Sequence, residues 1–581
     1  MERRALSSTA WAETGISSRA PKPIQALQAK ELAWAREVYK PEFDVEGLPI
    51  GMTDNYDHLT TEEKSHNRVY LAFREFQKFG VVESMMVLRK EFTSFGEIDI
   101  LYGMDIRPFD KPAIAHTWKK DAVYGRQFVA GTNPIMLQAV STTTAFPPPA
   151  LKSFSIDSIS LVPVLAGKDV KHLISQGRFT FVDYRPYLAP FVTEYKASEK
   201  KKNGGTIVAP VGLFYHDVEG AEVYPIGIQL EDGGYIFHPS TTLEPEKDCA
   251  WLTAKMWLAL ADTQVHELST HLFKVHLCVE PFGIALHRQL PRSHPVFKLV
   301  TPHMDGTMQI NAEGREIFIP VLAQIFSMGD GIIDFFKHVH SNLDFFELGP
   351  VKDLEKRGFG ADSTSSLNMP GQYPWAEDAR DLWEILTNYC DSFLALHYAN
   401  DAAIAADTEL QAWIKECATF FRYKGVPTSL SSRSQLTQVV ATIIWTGSAQ
   451  HSSVNYPQYE YYGFPPNRPP KTYLPVPKQR DDSLEERKAV AFLPPAVESL
   501  IAINTAATLA QYNEYDNYLG DRKFDYFGPA ARQELGVMTQ FSQDLVAYDG
   551  RIKARNETLP GRKENPYKWL LTTQIVASTR V

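Results

Sequence analysis

Apolar and polar positions along this chain follow two different periods, and their distribution predicts a mostly helical protein. Helical spacing runs through residues 26–39, with KELAWAREVY as its amphipathic centre, and through residues 61–79, with RVYLAFREFQ. Helices alternating with loops are expected across 318–336 and 382–421, and an apolar run over 439–445 leads into TGSAQHSSVNYPQY. The period drops to two in GTIVAPVGLFYHDVEGAEVYPIGIQLEDGGYIFHP, where apolar and polar residues alternate around Gly-containing turns. That pattern predicts a small antiparallel sheet at about residues 205–240. Two Pro-rich stretches, AFPPPAL and PPNRPPKTYLPVPK, interrupt the regular elements. The expected architecture is mainly α-helical with a small antiparallel β subdomain. Residues 1–60 form a tail and helical lead-in, and residues 61–581 form the main unit.

Composition narrows the function classes. A hydrophobic fraction of 44% suffices for a sizeable core, and 12% aromatic suits a chain that lines an apolar pocket. A formal net charge of -10 argues against a nucleic-acid partner, which requires a basic footprint. The cysteines Cys249, Cys278, Cys390 and Cys417 have no paired spacing, so a reducing compartment and no disulfide framework are expected. No apolar run approaches the ~20 residues that span a bilayer. The first residues lack the apolar core of a secretory signal, which makes the cytoplasm the expected location.

The densest candidate chemistry lies in VHELSTHLFKVHLCVEPFGIALHRQLPRSHPVFKLVTPHMDGTMQINAEG. It holds His266, His271 and His276 at five-residue spacing, then Glu280-Pro281, His287, His294 and His303. Imidazole is the commonest metal-binding side chain, so repeated histidines on one apolar segment raise a metal site. In an α-helix, residues five apart are rotated by about 140° and do not share a face. His271 and His276 converge only if the helix carries an i→i+5 turn. HELSTH is one residue too long for the zinc-peptidase pattern, whose two histidines need i and i+4. His451 and Asn455, by contrast, are at i and i+4 and share a face. Two histidines from one helix, His and Asn from another and one carboxylate make a mixed N/O set suited to iron or manganese. His338 and His340 point in two directions from a helix and are expected to be structural or exposed.

Taken together, these segments resemble the lipoxygenase family. Its pattern His-x4-His-x3-Glu-Pro, then Arg-x-Leu, His-Pro and Ile-Asn, is met by His271, His276, Glu280, Pro281, Arg288, Leu290, His294, Pro295, Ile310 and Asn311. A second pattern, His-x3-Asn-x2-Gln-Tyr, is met by His451, Asn455, Gln458 and Tyr459, followed by Asn467-Arg468-Pro469. WLTAKMW at Trp251, DTELQAWIKE at Asp407, DNYLGDR at Asp516, GRQFVAGTNPIML and Asp183-Tyr184 are further matches. The order of these fragments carries the resemblance, since each alone is short.

The resemblance implies the lipoxygenase catalytic-domain fold, in a short, fungal-like form without the family's N-terminal β-sandwich. It implies one non-haem iron held by His271, His276, His451, Asn455 and the terminal carboxylate of Val581, with His266, Glu267 and Gln458 around them. Val581 stands where plant and animal relatives mostly have Ile, and Glu267 where plant relatives have Gln. The implied reaction is oxygenation of polyunsaturated fatty acids of the linoleate or linolenate type to hydroperoxides. In it a metal-bound hydroxide takes a hydrogen atom from the bis-allylic carbon and O2 adds to the radical. Gly314 falls where the family has a small residue linked to product stereochemistry. Phe318, Ile325, Phe335 and Leu509 are expected along the substrate and oxygen pocket, and Arg468 as a partner for the fatty-acid carboxylate. The expected partners are the fatty acid and O2, taken by a monomer. Two alternatives are a manganese lipoxygenase and a non-catalytic lipid-binding relative.

Overall fold

The computed structural model describes residues 22–52, 91–102, 110–141, 146–194, 203–512, 517–520, 532–559 and 566–580. The helix expected over 61–79 and the tail before residue 22 lie outside them.

One long helical rod, from Cys249 to Gln289, runs through the middle of the protein. Its first part, CAWLTAKMWLALADTQV, is apolar on all sides, and a helix with no polar face is stable only when surrounded. Every residue from Ala250 to Val265 is buried. Asp248 starts the rod by accepting the Trp251 backbone N–H at 3.0 Å. Lys255, polar in this apolar setting, pairs with Asp121 at 2.7 Å.

Around the rod stand the helices Pro374–Ala395, Thr408–Phe421, Arg433–Trp445 and Arg532–Thr558. The buried Asp378–Arg555 pair joins the first and last of these. Helix Lys22–Val38 packs on the C-terminal part of the rod, and a two-stranded strap follows it, β1 (Pro41–Phe43) with β2 (Gly51–Met52).

The other side of the rod carries an antiparallel sheet in the order β3 (Gln138–Ala139), β4 (Phe179–Asp183), β5 (Val211–Asp217), β6 (Glu222–Gln229), β7 (Ile236–Phe237). The expected range of 205–240 captured β5 to β7 and missed β3 and β4, which come from short segments without an alternating signal. Both faces of the sheet are covered. Phe214, Val223 and Ile228 face the main core. Val211, Leu213, Tyr215 and Ile226 face a second core closed by Leu151, Phe154, Ile159 and Leu165. Helix Asp121–Ala130 lies so close on β6 that a Cβ at Gly125 would overlap the Val223 carbonyl oxygen.

His216 of β5 is sealed between these layers. Its Nδ1 lies 3.0 Å from Ser366 Oγ and its Nε2 2.7 Å from Thr180 Oγ1. Ser366 gives its own proton to the Gly177 carbonyl, so His216 donates from Nδ1 and accepts at Nε2 as a neutral ring. Burial pushes its pKa down to about 3, helped by Arg178. The unfolded chain therefore binds a proton that the folded chain refuses between pH 6.5 and about 3. Stability should fall over that window by about 1.4 kcal/mol per pH unit as the pH drops. Urea unfolding of His216→Gln against the parent should show a flatter acid limb in the variant.

Candidate metal centre

The rod changes register where the histidines lie. From His266 to Leu277 it is a π-helix, which brings residues five apart onto one side. His271 and His276 consequently converge, with their Nε2 atoms 3.3 Å apart. A second π-segment, Thr446–Gln450, interrupts the helix facing them and delivers His451. The His451 ring centroid lies 5.7 Å from that of His271 and 4.9 Å from that of His276. The three form a buried grouping whose ligand atoms all lie within 4.8 Å of one another.

Hydroxyl groups explain how buried helices tolerate the wider turn. Thr446 and Ser448 donate to the carbonyls of Thr442 and Ile444 at 2.7 and 2.5 Å, and Thr270 donates to that of His266 at 3.0 Å. Each hydroxyl donates to a carbonyl four residues back, a bond that helical Ser and Thr make readily and that accompanies helix bending. The five-residue His spacing predicted the first π-segment. The hydroxyl-rich TGS before His451 was the sequence signal for the second, and it went unread.

The tautomers suit metal binding. His276 donates from Nδ1 to Asn311 Oδ1 at 3.2 Å, leaving its Nε2 lone pair pointing at His271. His271 turns Nδ1 toward Glu267 Oε2 at 3.4 Å, with the Gln458 amide nitrogen 3.3 Å from the same atom. Burial pushes His276 down to about 3, with His271 adding to it, and burial also lowers His271, so both rings are neutral. Two unprotonated nitrogens 3.3 Å apart have no hydrogen to share, and a cation between them resolves that conflict. Neutral imidazole is the form that ligates. The residues therefore fit a metal.

Asn455 joins this centre through Gln458, whose amide donates to Asn455 Oδ1 at 2.9 Å, while Asn455 Nδ2 donates to the Leu509 carbonyl at 2.8 Å. His266 is held away from the metal position. Its Nδ1 is 3.1 Å from Glu267 Oε1 and its Nε2 3.1 Å from the Val454 carbonyl. Glu267 thus bridges His266 and His271. Burial raises its pKa, but the two histidines outweigh that and hold it at about 2.

Other histidines, in this stretch and beyond it, take structural places. His287 stacks on Tyr39, with centroids 4.1 Å apart. His340 is buried against Tyr423, and His338 meets the Pro186 carbonyl. His294, Asp407 and Glu409 form a second metal-like grouping. There, however, His294 Nδ1 accepts the Val296 N–H, so Nε2 carries the proton and donates to Asp407 at 3.2 Å. No lone pair of that ring is left for a cation, and Asp407 is itself the cap of helix Thr408–Phe421.

The lipoxygenase family model matches residues 103–567. The chain belongs to the lipoxygenase family. It is 28% identical over 590 residues to the allene oxide synthase-lipoxygenase protein of Plexaura homomalla, a match covering 97% of this chain and 53% of that protein. With the polyunsaturated fatty acid lipoxygenase ALOX15 of Mus musculus it shares 31% identity over 483 residues, 81% of this chain and 67% of the relative. The chain thus spans about half the length of the first relative and two thirds of the second. A coral 8R-lipoxygenase crystal structure superposes with a TM-score of 0.84 at 27% identity, covering 98% of this chain and 83% of that one. A lipoxygenase solved in complex with arachidonate gives 0.82 at 26% identity, covering 97% and 82%.

The C-terminal segment is buried from Ile575 to Thr579. The Val576 N–H donates to Ser452 Oγ at 3.0 Å, beside His451, and His303 Nδ1 donates to the Ala577 carbonyl at 2.8 Å. Thr579 meets Thr307 at 2.7 Å. Val581 itself lies outside the described residues.

The pocket residues divide. Phe318, with Leu509 beside it, joins Ile310, Ile317 and Val321 in a small apolar cluster apart from the main core. A Cβ at Gly314 would meet only Phe318 Cδ2, at 4.0 Å. Ile325 and Phe335 instead belong to the main core, Phe335 edge-on to Phe191 at 5.5 Å.

The expectation for Arg468 is corrected. It is buried in an ion pair with Asp262, donates from Nε to Gln127 Oε1 at 3.0 Å and lies over the Phe128 ring at 5.3 Å. Asp262 also accepts from Tyr184 and Asn133, each at 2.7 Å. With its side chain 1% exposed and its Nε and Nη1 engaged inside the core, it is placed to hold Asp262 and not a substrate carboxylate. The segments around Gln127, Asn133, Tyr184 and Asn467-Arg468 therefore form a structural knot under the rod. Arg468→Met should strand the Asp262 charge and destabilise the fold by about 3–5 kcal/mol. Chemical denaturation should also show that adding Asp262→Asn, which removes the stranded charge and keeps an acceptor for Tyr184 and Asn133, recovers most of that loss.

Proposed function

We propose that the chain is a non-haem iron dioxygenase that inserts O2 into polyunsaturated fatty acids to give hydroperoxides. The observation that carries this is the trio of buried imidazoles, His271, His276 and His451, whose ligand atoms all lie within 4.8 Å of one another. Asn455 and the Val581 carboxylate complete the ligand set. A mixed N/O set of this kind suits iron, and manganese is the alternative. When bound, the metal supplies the one-electron and oxygen chemistry of hydrogen-atom abstraction from a bis-allylic carbon, which side chains cannot perform.

The chain's own residues do the rest. Glu267 sets the plane of His271 by accepting from its Nδ1, and Asn311 sets that of His276. Ile310, Phe318 and Leu509 exclude water from the side where a diene would lie. The partners are the fatty acid and O2, with arachidonate-type and linoleate-type chains as the substrate class, and the enzyme works as a cytoplasmic monomer. No described helix is long and apolar enough to cross a membrane.

The test is oxygen uptake with linoleate and with arachidonate, followed together with conjugated-diene absorbance and metal analysis of the same sample. Uptake with diene formation is expected, along with about one iron per chain. Removal of Val581 should lower both metal content and rate. Metal-replete, untagged protein that takes up no oxygen after priming with hydroperoxide would point to a lipid-binding relative instead.

Gly314 leaves a space that a methyl group can fill without a clash. Gly314→Ala should therefore fold normally and redistribute oxygen between positions or faces of the diene. Chiral chromatography of the reduced products measures this, and an unchanged product ratio would remove Gly314 from the oxygen path.

A further inference from the structure

The grip on His276 extends well beyond its hydrogen-bond partner. Asn311 holds that residue at both ends, accepting from the ring Nδ1 at 3.2 Å and donating from Nδ2 to the His276 carbonyl at 2.8 Å. The same Nδ2 donates to Glu280 Oε2 at 2.9 Å. Glu280 accepts further bonds from Arg315 Nη1 and Nη2, at 2.8 and 2.9 Å, and from the Met52 backbone N–H at 2.8 Å. Arg315 Nη2 closes the loop by donating to the Met52 carbonyl at 2.9 Å, while its guanidinium covers the Phe43 ring at 4.5 Å. Glu280, Asn311 and Met52 are each at most 2% exposed.

The polarity of this chain of groups is fixed. An imidazole N–H needs an acceptor, and the Glu280 carboxylate needs donors. Asn311 is the side chain that offers an oxygen to one and an N–H to the other. A carboxylate in its place would face Glu280 with like charge. Because every member is buried, a lost partner is not replaced by solvent.

We propose that Asn311, Glu280 and Arg315 are positioning residues for the metal, forming a relay that couples the orientation of ligand His276 to the docking of the β1–β2 strap. The inference rests on the metal-centre assignment above. It predicts that the strap, which lies on elements separate from those of His271, His276 and His451, tunes the metal.

The remote end of the relay offers a perturbation. A Cβ at Gly51 would sit 2.8 Å from Arg315 Nη1, so Gly51→Ala displaces the guanidinium without touching a ligand. The experiment is chelator competition for iron on the full chain, with X-ray absorption and EPR spectra of the loaded protein and thermal unfolding of the metal-free protein. Asn311→Leu should weaken metal binding about 10- to 100-fold, and the spectra should report a changed nitrogen coordination. Gly51→Ala and Arg315→Lys should move both readouts in the same direction by less, and they carry the test if Asn311→Leu does not fold. A wild-type chain that binds metal, with folded variants within twofold of its affinity and identical spectra, would overturn the relay alone. A wild-type chain that binds no metal would overturn the metal centre and the relay with it.

Discussion

Helical geometry is the constraint on which the site depends. Two histidines five residues apart cannot face one point from an α-helix, yet the third histidine arrives from a separate helix and must meet both. Widening the rod by one residue per turn over His266–Leu277 brings them together, and a shorter π-segment before His451 aims the partner. Such a turn disturbs backbone hydrogen bonding inside a protein core, where each unpaired carbonyl is costly. The hydroxyls of Thr270, Thr446 and Ser448 supply additional donors to carbonyls in and next to these turns. The same enclosure lowers the pKa of His271 and of His276, so the burial that makes the turn expensive also keeps these two imidazoles in the form that can bind a cation.

A rod buried on every side also has to satisfy its polar side chains from a distance. Asp262 is the clearest case, drawing Asn133, Tyr184 and Arg468 from three separate parts of the sequence. Thr270 joins this knot through Asn133 at 3.1 Å, which connects it to the π-segment itself. A buried ion pair adds little net stability compared with a well-packed apolar substitute, but it is exacting about partners. Here it ties segments hundreds of residues apart to the stretch of helix whose register matters most.

Much of this was legible in the sequence, for reasons that vary by residue. The spacing of His271 and His276 demanded a π-turn, because no regular helix brings them together. The helices of 382–421 followed from their amphipathic period. The sheet was only half legible. Alternation in 211–229 revealed strands, but whether the second face meets water or another core depends on segments 151–165, which carry no strand signal. Arg468 was misassigned because sequence shows a cation and not the Asp262 that neutralises it. Asn311 was seen as part of a motif, yet its contact with His276 crosses 35 residues and is visible only in space. Val581 and the helix expected over 61–79 lie outside the described residues.

Asn455 shows how a polar centre and an apolar pocket can share one wall. Its carbonyl end accepts from Gln458, whose amide nitrogen lies 3.3 Å from His271 Nδ1, and its amide end donates to the backbone of Leu509. Leu509 belongs to the cluster of Ile310 and Phe318, so the amide is the seam between the two environments. A carboxylate there would bring a second charge to the apolar side and lose the bond to the Leu509 carbonyl. An imidazole would be bulkier and could not offer an acceptor to Gln458 while donating to Leu509 from adjacent atoms. An amide does both with one short side chain and remains neutral. The polar network therefore ends within one residue of the apolar cluster, and a lipid chain could lie against the centre without desolvating another charge.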